Sequence, residues 1–258
     1  FVAMLLLLSS CGSVPLTGRK QVLLVSDQEV LSSSLTQYSD YMKSAKKSSS
    51  KDGAAMVTRV GKKIAAATEQ YLRNNGLESE IKNFAWEFNL VNDPQVNAFC
   101  MPGGKIVVYE GLMQLVSSDD ELAVVVGHEV AHAVAKHSNE RMSQQLMAQY
   151  GAQILGQALS NKSAAVQKIG ASVYGLGAQY GVMLPFSRKH ESEADYMGLV
   201  FMAMAGYNPA VAVNFWQKMS AGKSGSTPEF MSTHPSDATR INEIKQHLPE
   251  IEKYRVKK

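Results

Sequence analysis

The stretch Gly127-His128-Glu129-Val130-Ala131-His132 sets two histidines four residues apart, with a glutamate directly after the first. On a helix, residues four apart share a face and lie about 5–6 Å apart, whereas on a strand they lie about 13 Å apart. Both imidazoles can therefore meet one point only if this stretch is helical. Its surroundings agree. Ser118 and Glu121 have the spacing of a capping box, and residues 119–147 follow without a proline. Gly127 leaves room on the helix just before the first histidine. Taken alone, the pair has two readings. The histidines are satisfied groups of a helical core, or they are ligands of one metal ion. In the second reading Glu129 lies at the flank of their face, where it reaches a water beside the metal and serves as a base.

The metal reading needs a third ligand, because a catalytic zinc takes three protein ligands and keeps one position open. That ligand should come from another helix. Residues 190–195, His-Glu-Ser-Glu-Ala-Asp, offer Glu191, Glu193 and Asp195. Glu191 and Asp195 share a helical face, and Glu193 points roughly the opposite way. Two carboxylates on one face are a solvated helix start, or they are buried and need a positive partner. Beside the histidine pair the second reading is preferred. His128, His132 and Glu191 become candidate ligands of one Zn2+ per chain, with Glu129 as general base. Asp195 is placed behind them, accepting from the other ring nitrogen of a ligand histidine.

The rest of the chain reads as mostly helical. A helix is expected from near Ser26-Asp27, and a second from Asp52 to about Arg73, with Val57, Val60, Ile64 and Ala67 at helical spacing. The period then changes to two: Phe84, Trp86, Phe88 and Leu90 alternate. Residues 95–111 suggest two short strands joined around Pro102-Gly103-Gly104. Residues 187–206 form another helix closed by Gly206. Further helices follow Asn208-Pro209 and the loop at His234-Pro235. Residues 146–185, rich in Ala, Gly and Gln, suit a helical hairpin, a lid or a membrane-surface element, with no window apolar enough for a transmembrane helix.

Composition narrows the partners. A net charge of +3 spread along the 258-residue chain gives nucleic-acid binding no support. The opening Phe1-to-Cys11 run is too short for a helical span of about 20 residues and reads as the apolar region of a signal peptide. Leu8-Ser9-Ser10-Cys11 resembles a bacterial lipobox, which implies cleavage before Cys11 and lipid attachment there. Gly12 in the next position favours the outer membrane. The expected organisation is a signal peptide over 1–10, a lipidated segment and linker over 11–51, and a catalytic domain over 52–258. Cys100 reads as a small buried apolar residue.

His-Glu-Val-Ala-His followed by Glu-Ser-Glu-Ala-Asp resembles the gluzincin metalloproteases of the CAAX prenyl-protease and HtpX group. Ser13-to-Gln21 after the lipobox is similar to their periplasmic lipoprotein branch, the LoiP-like and BepA-like proteins. The resemblance covers about Val14 to Ile244. It implies an α+β, mostly helical zincin-like domain with a small sheet beside the active-site helix, acting as an endopeptidase on misfolded or membrane-associated proteins. It also implies a location on the periplasmic face of a Gram-negative outer membrane, anchored through Cys11, with outer-membrane assembly machinery as a partner. By the same resemblance Asn97, Ala98 and Phe99 belong to an edge strand that binds extended peptide. His234 and Arg240 approach the metal: His234 stabilises the oxyanion or plugs the zinc, and Arg240 meets the same charge or a carboxylate. A chaperone or assembly factor with a plugged zinc site is the alternative function. His137, nearly one and a half turns past His132, need not reach the metal, and His190 and His247 have no evident role.

Overall fold

The computed structural model of the protein describes residues 11–159, 187–221, 228–234 and 238–256. Residues 1–10, and the part of the 146–185 segment beyond residue 159, lie outside them. Strands β1 (Cys11–Ser13) and β2 (Lys20–Val22) form an antiparallel ribbon. Helices α1 (Asp27–Ser44), α2 (Lys51–Asn74) and α3 (Glu78–Ile81) follow, then strands β3 (Glu87–Val91), β4 (Ala98–Met101) and β5 (Lys105–Tyr109). After α4 (Glu110–Met113) come α5 (Asp119–Val134), α6 (His137–Leu159), α7 (Arg188–Met204), α8 (Val211–Ala221), α9 (Glu229–Thr233) and α10 (Ala238–Ile251). The chain is thus α+β and mostly helical, as the sequence predicts.

Local chemistry sets these boundaries. Ser26 and Glu29 make a reciprocal capping box at the start of α1. Ser50 caps α2, accepting from Gly53 N–H. At α5 the box is displaced by one residue: Ser118 Oγ accepts from Glu121 N–H, but the Glu121 carboxylate reaches Ser117 N–H. The predicted helix over residues 119–147 is broken. Lys136 takes φ +56°, so α5 ends at Val134 and α6 begins at His137.

The core lies between α5, α7 and α2. Val57, Val60, Ile64 and Leu72 of α2 are buried, as is nearly every residue from Leu122 to Val134. Helices α5 and α7 cross at Gly127 and Gly198, where a Cβ added to either would lie 2.8 Å from the other helix's backbone. Glycine here brings two backbones close enough for their side chains to share one site. The sheet order is β3-β5-β4, with β3 parallel and β4 antiparallel to β5. Gly103 and Gly104 turn the chain between β4 and β5 at φ +92° and +80°. Phe84, Trp86 and Phe88 stack in a row beside the sheet. Strand β4 forms the sheet edge nearest α5. Among the described residues no helix is long and apolar enough to cross a membrane.

Candidate active site

Four buried side chains converge: His128 and His132 from α5, Glu191 from α7 and His234 just after α9. Their ligand atoms all lie within 4.8 Å of one another. His128 Nε2 stands 3.0 Å from His132 Nε2 and 3.3 Å from His234 Nδ1. Glu191 Oε1 is 3.3 Å from His132 Nε2 and 3.1 Å from His234 Nδ1. The outer faces of the two α5 rings are engaged elsewhere. His128 Nδ1 meets Asp195 Oδ1 at 3.0 Å, and His132 Nδ1 meets His137 Nδ1 at 2.8 Å. A neutral imidazole carries one proton. With the Nδ1 protons committed outward, the Nε2 lone pairs face each other across the centre. That donor set fits a divalent cation and is poorly satisfied without one.

The electrostatics point the same way. Burial pulls His128 down, but the Asp195 and Glu191 carboxylates prevail and raise its pKa to about 9. Burial opposes ionisation of Glu191, yet His128, His132 and His234 hold it well below the ordinary carboxylate range. This point of the protein favours positive charge. Burial drives His132 well below its ordinary value, which keeps it neutral, as a metal ligand must be.

Glu129 sits beside the centre without entering it. Its Oε2 accepts from Cys100 N–H at 3.0 Å, on the side of β4 turned away from β5. Its Oε1 is buried and has no hydrogen-bond partner among the described residues; His234 Nε2 is 3.5 Å away. Burial, reinforced by the charge of Glu191, raises Glu129 above the ordinary carboxylate range. The Cys100 thiol is also pushed well up, by burial and by Glu129, which disfavours a nucleophilic thiolate.

His234 is placed by an aromatic stack. Phe230 lies against it at 4.5 Å between centroids and against Trp216 at 5.7 Å. Phe230 N–H also donates to Val96 O, tying α9 to the approach to β4. The Arg240 guanidinium lies over Trp216 and clamps Asp195 through Nε and Nη2, while Nη1 reaches Glu191 Oε2 at 2.8 Å. The carboxylates Arg240 meets are therefore the protein's own.

The predicted peptide-binding residues divide. Asn97 O accepts from Tyr109 N–H, on the inner side of β4. Phe99 packs its ring against Tyr41 and Tyr109. Ala98, by strand alternation, shares with Cys100 the side facing Glu129.

Sequence reasoning missed His137, Glu193 and His190. On a continuous helix His137 falls off the face of His132, but the break at Lys136 turns it back. Glu193 does point away from Glu191, toward a second buried cluster with His137 and Arg19.

The model of the family described as Peptidase family M48 matches residues 58–248. The mitochondrial metalloendopeptidase OMA1 of Schizosaccharomyces pombe is 36% identical over 205 residues, covering 76% of this chain and 53% of that protein. The protein of the same name from Arabidopsis thaliana is 40% identical over 168 residues, 65% of this chain and 33% of its own. The beta-barrel assembly-enhancing protease of Yersinia pestis is 33% identical over 174 residues, 63% of this chain and 36% of its own. The chain spans about half or less of the length of these relatives. One expectation is corrected. A location on the periplasmic face of a Gram-negative outer membrane does not stand, because the relatives matched over most of the chain carry mitochondrial names.

Proposed function

The chain belongs to peptidase family M48, and on that premise we propose that it is a zinc-dependent endopeptidase acting on unfolded or misfolded protein chains. One observation carries the reading. The inward-facing atoms of His128, His132 and Glu191 converge on one point, with the unpartnered Oε1 of Glu129 beside it. Two histidines and a carboxylate are a protein ligand set of a catalytic zinc, and His234 Nδ1 is the fourth atom of the same group. Zinc held there supplies a Lewis acid that polarises the scissile carbonyl and acidifies water.

The remaining chemistry belongs to the side chains. Glu129 Oε1 takes a proton from the attacking water and delivers it to the leaving amine. The raised pKa of Glu129 brings it nearer the working pH, where a general base is most effective. Cys100 N–H holds the other oxygen, so the carboxylate keeps one orientation. Asp195 fixes His128 as the Nδ1–H tautomer, and Arg240 holds both Asp195 and Glu191. Arg240 thus positions the ligands, while His234 Nε2, close to Glu129, is the group placed to meet an oxyanion. An extended substrate adds along the open side of β4 by donating main-chain N–H groups to the carbonyls of Ala98 and Cys100, whose own N–H groups are given to Asn97 Oδ1 and Glu129 Oε2.

A second reading has its own observation. His234 Nδ1 lies within the ligand cluster, as a fourth ligand would. In that arrangement the site is plugged, and the protein serves as an assembly factor or chaperone that seldom cuts.

The experiment is cleavage of unfolded casein by the purified protein with zinc, with a chelator, and with zinc restored, on wild type and His234→Ala. Chelator-sensitive cleavage by wild type supports the endopeptidase, and its absence from both chains overturns it. A faster His234→Ala variant identifies the plug; a slower one identifies His234 as an oxyanion donor.

A further inference from the structure

A second buried cluster lies behind His132. His137 is fully buried and His190 nearly so, and Glu140 and Glu193 are buried with them. Arg19, from the N-terminal ribbon, enters between the two carboxylates. Its Nη1 and Nη2 donate to both oxygens of Glu140, at 2.9 and 2.7 Å, and its Nε donates to Glu193 Oε2 at 2.7 Å. Thr17 Oγ1 donates to Glu193 Oε1. The His190 ring stacks on His137, and His190 Nε2 meets Glu140 Oε2 at 3.1 Å. The cluster joins three segments distant in sequence: the ribbon, the start of α6 and the start of α7.

The hydrogen bonds from this cluster to the metal site have one consistent direction. A carboxylate only accepts, so Glu193 Oε2 fixes the proton of His137 on Nε2, 2.9 Å away. His137 Nδ1 is then a lone pair, and it can only accept from His132 Nδ1, at 2.8 Å. His132 Nδ1 therefore carries its proton, and His132 Nε2 presents its lone pair to the centre. The other α5 histidine reaches the same state in one step, through Asp195 held by Arg240. His132 reaches it in two, through His137 and Glu193 held by Arg19.

We propose that His137 is a positioning residue for the ligand His132, and that the N-terminal ribbon acts on the metal site through Arg19, Glu193 and His137. This rests on the reading of His128, His132 and Glu191 as metal ligands. In this arrangement the ribbon is part of the catalytic apparatus. It neutralises Glu193 at the position where that carboxylate sets the tautomer and ring angle of a ligand. A displacement of Thr17–Arg19 is transmitted to His132 without any change in the three ligands themselves.

The test measures zinc affinity by competition with a chromophoric chelator, on full-length protein whose fold is checked by circular dichroism and melting. His137→Phe keeps the ring stack on His190 but removes the acceptor. It weakens zinc binding by about 10- to 100-fold, the usual effect of removing such a partner. His137→Asn, whose amide oxygen can replace Nδ1, restores most of the affinity. Arg19→Met weakens binding in the wild-type background and adds nothing to His137→Phe. In zinc-loaded protein with 15N-labelled histidine, the His132 Nδ1–H resonance moves in Arg19→Met.

A folded His137→Phe that binds zinc as wild type does overturns the proposal. So does an Arg19→Met effect of equal size in both backgrounds, which marks a contribution to the fold alone. If His137→Phe does not fold, His137→Asn and the resonance shift in Arg19→Met decide the question. A wild type that binds no zinc overturns the metal reading itself. A wild type that binds zinc without cutting overturns the endopeptidase and leaves the relay standing.

Discussion

Gly198→Ala tests whether the helix crossing sets the spacing of the metal ligands. A Cβ at position 198 would lie 2.8 Å from Gly127 C and from His128 N, about 0.6 Å inside the 3.4 Å where ordinary contact begins. Both neighbours are backbone atoms and cannot rotate away, so the helices must part. His128 lies on one helix and Glu191 and Asp195 on the other. Metal–ligand distances tolerate only about 0.2 Å, so a separation of that size reaches the site. Two free-energy terms oppose. Alanine is better than glycine inside a helix by about 1 kcal/mol, whereas overpacking a close-packed core costs about 1–3 kcal/mol. With backbone on both sides the cost lies toward the top of that range, leaving a net loss of about 1–2 kcal/mol. For a chain of this size that lowers the melting temperature by about 2–8 °C. Differential scanning calorimetry with and without zinc reads the loss, and chelator competition reads an accompanying drop in zinc affinity of about tenfold or more. A variant that melts higher, as Gly→Ala does on an open helix, and binds zinc unchanged would show that the crossing does not set the spacing of the ligands.

The other predictions concern the supports of the site. Ser118→Ala removes the cap of the helix that carries His128 and His132, and should cost about 1 kcal/mol, read as a lower urea midpoint. Glu140 is held at about 2 by His190 and Arg19, against burial, which alone would raise it. Its folded pKa lies below the ordinary carboxylate value, so its contribution is present above that value and lost as pH falls toward 2. Glu140→Gln should be less stable than wild type at neutral pH, and its stability should fall less steeply with acid; equal slopes in urea titrations at several pH values would sink this. Arg240→Met leaves Asp195 and Glu191 without their buried cation. It should weaken zinc binding more than it changes the KM for casein, and a change confined to KM would instead place Arg240 on the substrate.

The candidate ligand cluster is legible because its signals are local or periodic. Histidines four apart, and carboxylates four apart, can be paired from helical geometry alone, and the turn at Gly103-Gly104 announces its hairpin. What escaped depends on a break without a marker. Lys136 adopts a left-handed backbone, where glycine is the usual signal, held by salt bridges from its Nζ to Asp27 and Glu80. That turn brings His137 back onto His132. Nothing near His137 in sequence reveals it, because its partner Glu193 lies 56 residues further on, and Arg19, which holds Glu193, comes from the N-terminal ribbon. Arg240 shows the opposite case. Its approach to the site is implied by resemblance, but its geometry directs it to the carboxylates behind the ligands. The compartment was misread from a short leader motif, which carries no information about the folded domain.

In the proposed mechanism Glu129 moves a proton beside a metal held by His128, His132 and Glu191. Its most direct test is Glu129→Gln, with zinc content and casein cleavage measured on the same preparation. One zinc per chain is expected in both proteins, with a cleavage rate lower by about 10²-fold or more in the variant. Cleavage by Glu129→Gln at the wild-type rate, with the same zinc content, would contradict it.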